Sequence, residues 1–114
     1  MMAHNTIHSP LGPTTYAKLY SSATGIDLSP RDLVKAGERI FNLQRMYQVN
    51  AGISSQDDTW PERFYEDGLS DGPKKGTRTH REDVEALNQE YYRQRGWDAD
   101  GKPTREKLEE LGLI

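Results

Sequence analysis

Two histidines, His4 and His8, stand four residues apart, a spacing that puts two imidazoles on one helical face for a metal ion. They lie in a stretch without helical periodicity, ahead of Pro10 and without a nearby carboxylate, so they fall short of the three or four ligands such a site takes. "DADG", Asp98 to Gly101, resembles the opening of a calcium loop. That loop needs an oxygen ligand at its fifth position, which here is Lys102, and its glycine comes two places early. It reads as a plain turn. "GPKKGT", Gly72 to Thr77, has glycines and lysines but lacks the Gly-Lys-Ser/Thr ending of a phosphate loop and follows no strand. With Arg78, His80 and Arg81 it makes a small basic cluster of the kind usually found on a solvated surface. Glu38, Arg39 and Arg45 are the candidates for buried charge, because their neighbours are apolar. A structural ion pair or a carboxylate clamp between helices is preferred over catalysis for them, since charged networks shift pKa values in both settings. From these residues no enzyme can be assembled.

Composition narrows the classes further. The 114 residues make one domain at most, with 33% hydrophobic residues and only 20 Leu, Ile, Val and Phe together, which implies a lean core. Fifteen basic residues against eighteen acidic ones leave no field to attract nucleic acid. No apolar run approaches the ~20 residues of a membrane span. The start, "MMAHNTIHSP", lacks the apolar stretch of a signal peptide, so the cytoplasm is the expected compartment. Zero cysteines exclude disulfides, thiolate catalysis and a cysteine-ligated iron–sulfur cluster held by this chain alone.

The elements that must position these residues are helices. No β-branched alternating run occurs, so the fold class is all-α: a small multihelical domain of about four helices, residues 13–114, with an irregular arm over residues 1–12 and a long polar loop. The first helix spans Pro13 to Thr24, with Tyr16, Leu19, Tyr20 and Ala23 on one face. Ser29, Pro30 and Asp32 cap a second helix that runs to about Asn50. Its face Leu33, Val34, Ala36, Gly37, Ile40, Phe41, Leu43 and Tyr47 covers nearly half the circumference, which marks it as the central helix. A backbone packed closely on Gly37 would explain that mid-helix glycine, and Gln44 would need partners in the same face. Thr59 and Glu62 suggest a capping box over a short turn, and Trp60, Phe64 and Tyr65 an aromatic plug. Thr79 and Glu82 cap a third helix, His80 to Arg95, with Val84, Leu87, Tyr91 and Tyr92 inward. Thr104 caps a last one, in which Leu108 and Leu111 face inward and Gly112 is the stop. Ile40 and Leu43 should then be the least replaceable residues, at ~2–5 kcal/mol each on truncation to alanine.

Three blocks, "LVKAGERIFNLQRMYQVNAGIS", "DDTWPERF" and "YYRQRGWDADGKPTREKLEELGL", resemble in order the C-terminal region of the aldehyde:ferredoxin oxidoreductases. The resemblance runs from about Leu11 to the last residue, and "LGPTTYAKLYSSATGIDLSP" is similar to the family's helix leading into its central one. It implies a parent enzyme that oxidises aldehydes to carboxylic acids at a tungsten or molybdenum pterin. Electrons pass through a [4Fe–4S] cluster to ferredoxin. In the family the last cluster cysteine lies shortly before the position matching Leu11. Here that region reads "HNTIHSP", so no family ligand carries over to a residue of this chain, and no cofactor is expected on it alone.

Two functions follow. The chain is either a structural C-terminal part acting with a larger catalytic oxidoreductase chain, or a non-catalytic helical protein-interaction module derived from that family. The doubled methionine and an arm matched by no family block favour an independent small protein over an excised piece. In either case four short helices cannot easily bury all the apolar area. An exposed patch is expected at Val34, Phe41, Trp60, Phe64 and Tyr65, as the docking site for a catalytic chain or a second copy.

Overall fold

The computed structural model describes residues 11–114. His4, His8 and most of the expected arm therefore lie outside the described residues. The fold is all-α, with five helices among the described residues: α1 (Pro13–Thr24), α2 (Pro30–Asn50), α3 (Arg63–Glu66), α4 (Arg81–Arg95) and α5 (Arg105–Leu111). Among the described residues the sole β pairing is an isolated bridge between Trp97 and Pro103. The chain divides into two compact units, Met1–Asn42 and Leu43–Ile114, with the boundary inside α2.

In the first unit, Pro13 opens α1 and Gly25 closes it at φ 72°, its N–H donating to the Ser21 carbonyl at 2.9 Å. Glycine takes that left-handed conformation without a Cβ penalty. Leu28 N–H then donates to Ser21 Oγ at 3.0 Å and brings the linker back to α1. The start of α2 is a reciprocal cap: Asp32 N–H donates to Ser29 Oγ at 3.1 Å and Ser29 N–H to Asp32 Oδ2 at 3.2 Å. Hydrogen bonds from the Ser29 hydroxyl and backbone hold the Asp32 carboxyl below the usual carboxylate value. The expected α1 face is only partly realised. Ala17 is buried and Tyr16 half-buried, whereas Leu19 and Tyr20 are exposed.

The second unit carries most of the core: Tyr65, Val84, Tyr92, Trp97, Leu108 and Leu111. Gly52, at φ 96°, and Ile53 close the end of α2 by donating to Val49 O and Gln48 O, both at 3.0 Å. Two expected caps are absent. Thr59 Oγ1 bonds the Tyr65 hydroxyl at 2.9 Å instead of a helix amide, so the turn into α3 is built by backbone bonds from Phe64 and Tyr65 to Pro61 and Glu62. Thr79 donates its N–H to the Phe64 carbonyl, and the cap position of α4 falls on His80, with no side-chain cap. The Gly72–Thr77 segment is a loop, tied at its base by Leu69 N–H to Thr77 O and Gly76 N–H to Leu69 O. A Cβ on Gly68 would stand 2.9 Å from Gly76 O, so that base tolerates only glycine. Thr104 serves twice. Its hydroxyl accepts from Lys107 N–H at 3.2 Å to cap α5, and donates to Gly96 O at 2.9 Å at the end of α4.

The α2 expectation is overturned. Ile40 is 60% and Leu43 59% exposed, and Val34, Tyr47 and Gln44 are exposed as well. The buried residues of α2 are Asn42 and Arg45, which at 100° per residue lie roughly opposite Ile40. Among the described residues nothing lies within 4 Å of a Cβ built on Gly37, so none of their backbone packs there. On α4, likewise, Val84 and Tyr92 are buried while Leu87 and Tyr91 are exposed. The stability expectation therefore reverses. Ile40→Ala and Leu43→Ala should each change the stability of the isolated chain by no more than about 0.5 kcal/mol. Gly37→Ala should stabilise it by about 0.5–1 kcal/mol, because a helix favours alanine where space is open. Urea denaturation followed by circular dichroism reads all three.

Candidate functional site

The densest polar arrangement is built on Arg45, a guanidinium always charged and only 6% exposed. A buried charge costs several kcal/mol unless it is paired and its donors are satisfied. Three parts of the second unit meet that demand. Asp58, on the segment before α3, faces the guanidinium as a two-point fork, with Nη1 donating to Oδ1 at 3.0 Å and Nη2 to Oδ2. The turn after α4 supplies the Gly101 carbonyl, which accepts from Nε at 2.7 Å. Tyr92, on α4, donates its hydroxyl to Asp58 Oδ2, and Asn88 one turn earlier donates Nδ2 to the Asp58 backbone carbonyl at 2.6 Å.

An aromatic wall completes the node. The Arg45 guanidinium carbon lies 5.1 Å from the Trp97 ring centre, and Tyr92 stacks on Trp97 at 5.9 Å. Tyr91 meets the edge of Trp97 at 5.8 Å. Local sequence holds the Gly101 carbonyl in place. Asp98 Oδ1 accepts from Asp100 and Lys102 N–H at 3.0 and 2.9 Å, and Gly101 N–H donates to Asp98 O at 3.0 Å. Gly101 sits at φ 73°, and a Cβ there would meet Tyr92 Cζ at 2.9 Å and collide with Arg45 Nη2. "DADG" is thus a turn whose carboxylate is spent on backbone amides.

The electrostatics are those of a clamp. Burial first, and then the hydrogen bond to Asp58 and its negative charge, push the Tyr92 phenol up to about 12, so it stays protonated at neutral pH. Asp58 is occupied by Arg45 and Tyr92. Among the described residues no three His, Cys, Asp or Glu side chains converge as a metal site. With no cysteine in the sequence, the donor set does not fit a thiolate-ligated cluster. The structural ion pair expected at Arg45 is present. It does not include Glu38, half-buried, or Arg39, exposed. Arg81 of the basic cluster pairs with Glu62 at 2.7 Å and lies over the Tyr65 ring at 4.3 Å.

The expected interface residues fall in both units. Val34 and Phe41 are exposed on α2. Trp60 and Phe64 form an edge-to-face pair at 5.2 Å, 51% and 44% exposed. Tyr65 departs from the expectation. It is buried, and its hydroxyl is taken up by Thr59 and by Trp60 N–H at 3.0 Å.

The family profile described as "Aldehyde ferredoxin oxidoreductase, domains 2 & 3" matches residues 2–113. The chain belongs to the aldehyde ferredoxin oxidoreductase family. The tungsten-containing aldehyde ferredoxin oxidoreductase of Pyrococcus furiosus is 42% identical over 104 residues, 90% of this chain but 17% of that protein. The same enzyme of Thermococcus kodakarensis is 40% identical over the same shares. The aliphatic sulfonate oxidoreductase, WOR-like subunit, of P. furiosus is 38% identical over 82% of this chain and 16% of its own length. A solved structure, the active site complex BamBC of benzoyl coenzyme A reductase with 1,5 dienoyl-CoA, is similar at TM-score 0.74 and 28% identity, over 92% of this chain and 14% of that one. The chain therefore spans about a sixth of the curated relatives it matches. Because the family match starts at residue 2, similarity reaches into the N-terminal arm, contrary to the expectation that no family block matches it.

Within this family segment, residue-by-residue reading found Arg45 but missed the rest of the node. Asp58 sits in "DDTWPERF", where nothing local separates it from Asp57; only its pairing with an arginine thirteen residues earlier does. Asp58→Ala should cost about 3–5 kcal/mol, because it strands the buried guanidinium. Tyr92 carries a pH signature. Its folded pKa lies above the ordinary tyrosine value near 10, so its contribution is fully present below about pH 10 and lost as pH rises toward about 12. Urea midpoints should fall between about pH 10 and 12 in the wild type, and Tyr92→Phe should flatten that fall.

Proposed function

We propose that this chain is the C-terminal helical part of an aldehyde ferredoxin oxidoreductase-like enzyme of the cytoplasm, structural in role and not catalytic on its own. The reaction it serves is oxidation of an aldehyde to a carboxylic acid, in which water supplies the added oxygen and two electrons leave. In the proposed assembly a catalytic part holds a tungsten or molybdenum pterin and a [4Fe–4S] cluster that passes the electrons to ferredoxin. This chain's own residues supply rigidity: the Arg45–Asp58–Tyr92 clamp fixes the end of α2, the segment before α3, α4 and the 98–102 turn as one piece.

The observation that carries the reading is 42% identity over nearly the whole chain to a tungsten enzyme of which it spans only 17%. The described residues also contain no helix long and apolar enough to cross a membrane. Native chromatography of the species bearing this sequence, with metal analysis and aldehyde-dependent dye reduction, tests it. The expected result is co-elution with iron and with tungsten or molybdenum, together with activity that the 114-residue chain alone does not show. A chain that elutes without metal or activity would overturn the proposal in favour of a non-catalytic helical interaction module.

A further inference from the structure

We infer that Asp71–Gly72 is a modification site, at which the aspartate isomerises spontaneously to isoaspartate in the folded chain. The sequence holds three Asp-Gly pairs, Asp67–Gly68, Asp71–Gly72 and Asp100–Gly101. Such pairs offer this reaction the least hindrance, because the attacking amide belongs to a residue without a Cβ. The fold treats the three differently. Gly101 donates its N–H to the Asp98 carbonyl at 3.0 Å, and its own carbonyl accepts from Arg45 Nε at 2.7 Å, so that residue is pinned on both sides. Asp67 donates its N–H to the Arg63 carbonyl at the end of α3. Gly68 after it is packed into the loop base, where a Cβ would stand 2.9 Å from Gly76 O.

Asp71 and Gly72 are exposed in the outer part of the loop that Leu69, Gly76 and Thr77 close. The Gly72 N–H lies against the carboxylate of the residue before it, donating to Asp71 Oδ1 at 2.7 Å, and makes no other hydrogen bond among the described residues. Attacking nitrogen and target carboxyl are thus already together, the proximity that favours an intramolecular step. The Gly72 nitrogen gives up its proton and bonds to Asp71 Cγ. A Cγ–O bond breaks, the oxygen leaves as water, and a succinimide closes. Water then opens the ring. Cleavage between the Gly72 nitrogen and the Asp71 main-chain carbonyl carbon leaves the chain running through Cγ, with the former main-chain carbonyl as a free carboxylate. The water lost is regained, and no oxidant, reductant or further reactant is needed. The extra backbone atom falls between Leu69 and Gly76, inside the pairings that close the loop, so the core beyond them is untouched.

The species bearing this sequence, incubated in its native state and then digested, tests the site. Isoaspartate is located by peptide mass spectrometry, and its free carboxylate is counted by methyl transfer from labelled S-adenosylmethionine with an isoaspartyl methyltransferase. It should accumulate at Asp71 about tenfold or more faster than at Asp67 and Asp100. The same chain held unfolded in urea should modify all three pairs at similar rates. Asp71→Asn should speed the reaction, because ammonia leaves more readily than hydroxide, and Gly72→Ala should slow it by hindering the attacking amide. Circular dichroism should show unchanged helicity in both variants. No isoaspartate at Asp71 in the native state, equal accumulation at all three pairs, or a rate that neither variant alters would overturn the assignment.

Discussion

The second unit depends on one constraint: the Arg45 guanidinium cannot give up its charge and is nearly sealed from water. Each donor it turns inward needs an acceptor, and the acceptors come from sequence positions thirteen and fifty-six residues away. Asp58 must then approach α2, which fixes the segment ahead of α3. The Gly101 carbonyl must point at Nε, which fixes the turn after α4. That turn has to pass so close to Tyr92 that residue 101 can carry no Cβ. An ion pair of this kind adds little net stability by itself, since desolvation opposes the attraction, but losing one partner is costly. It serves to specify which segments meet.

The node also explains why so lean a core suffices. Few apolar side chains are buried among the described residues, and Tyr92 and Trp97 belong to both the core and the polar cluster. The Trp97 ring faces the Arg45 guanidinium and Tyr92 stacks on Trp97, while the Tyr92 hydroxyl satisfies Asp58. Polar and apolar contributions are therefore not separable here. The aromatic wall excludes water and strengthens the hydrogen bonds beside it, and those bonds hold the rings in place. The arrangement suits the structural role proposed for this chain.

Much of the fold was legible from local chemistry. Pro13, the Ser29–Asp32 pair and Thr104 begin helices where expected, and Gly25, Gly96 and Gly112 end them in the left-handed conformation. These signals work because a cap is satisfied within a few residues and needs no tertiary partner. Thr59 and Thr79 have the same local pattern and fail. The Thr59 hydroxyl has a better partner in Tyr65, and the Thr79 amide bonds the Phe64 carbonyl, which only the folded chain brings within reach.

What the sequence by itself determined is four of the five helices, with their ends to within a residue or so, and which residues share each helical face; α3 is legible only as a short turn. Family membership was equally legible, through three blocks in register. The tertiary structure decided which face of α2 is buried, and it chose Asn42 and Arg45 over Ile40 and Leu43. The reason is physical. Periodicity fixes the angles between side chains on a helix but is indifferent to rotation of the whole helix, so it cannot say which side turns inward. That choice depends on compensation. The polar side could be buried because Asp58 and the Gly101 carbonyl come from distant positions to pair with Arg45, whereas among the described residues nothing closes over Gly37 and Ile40 is left exposed.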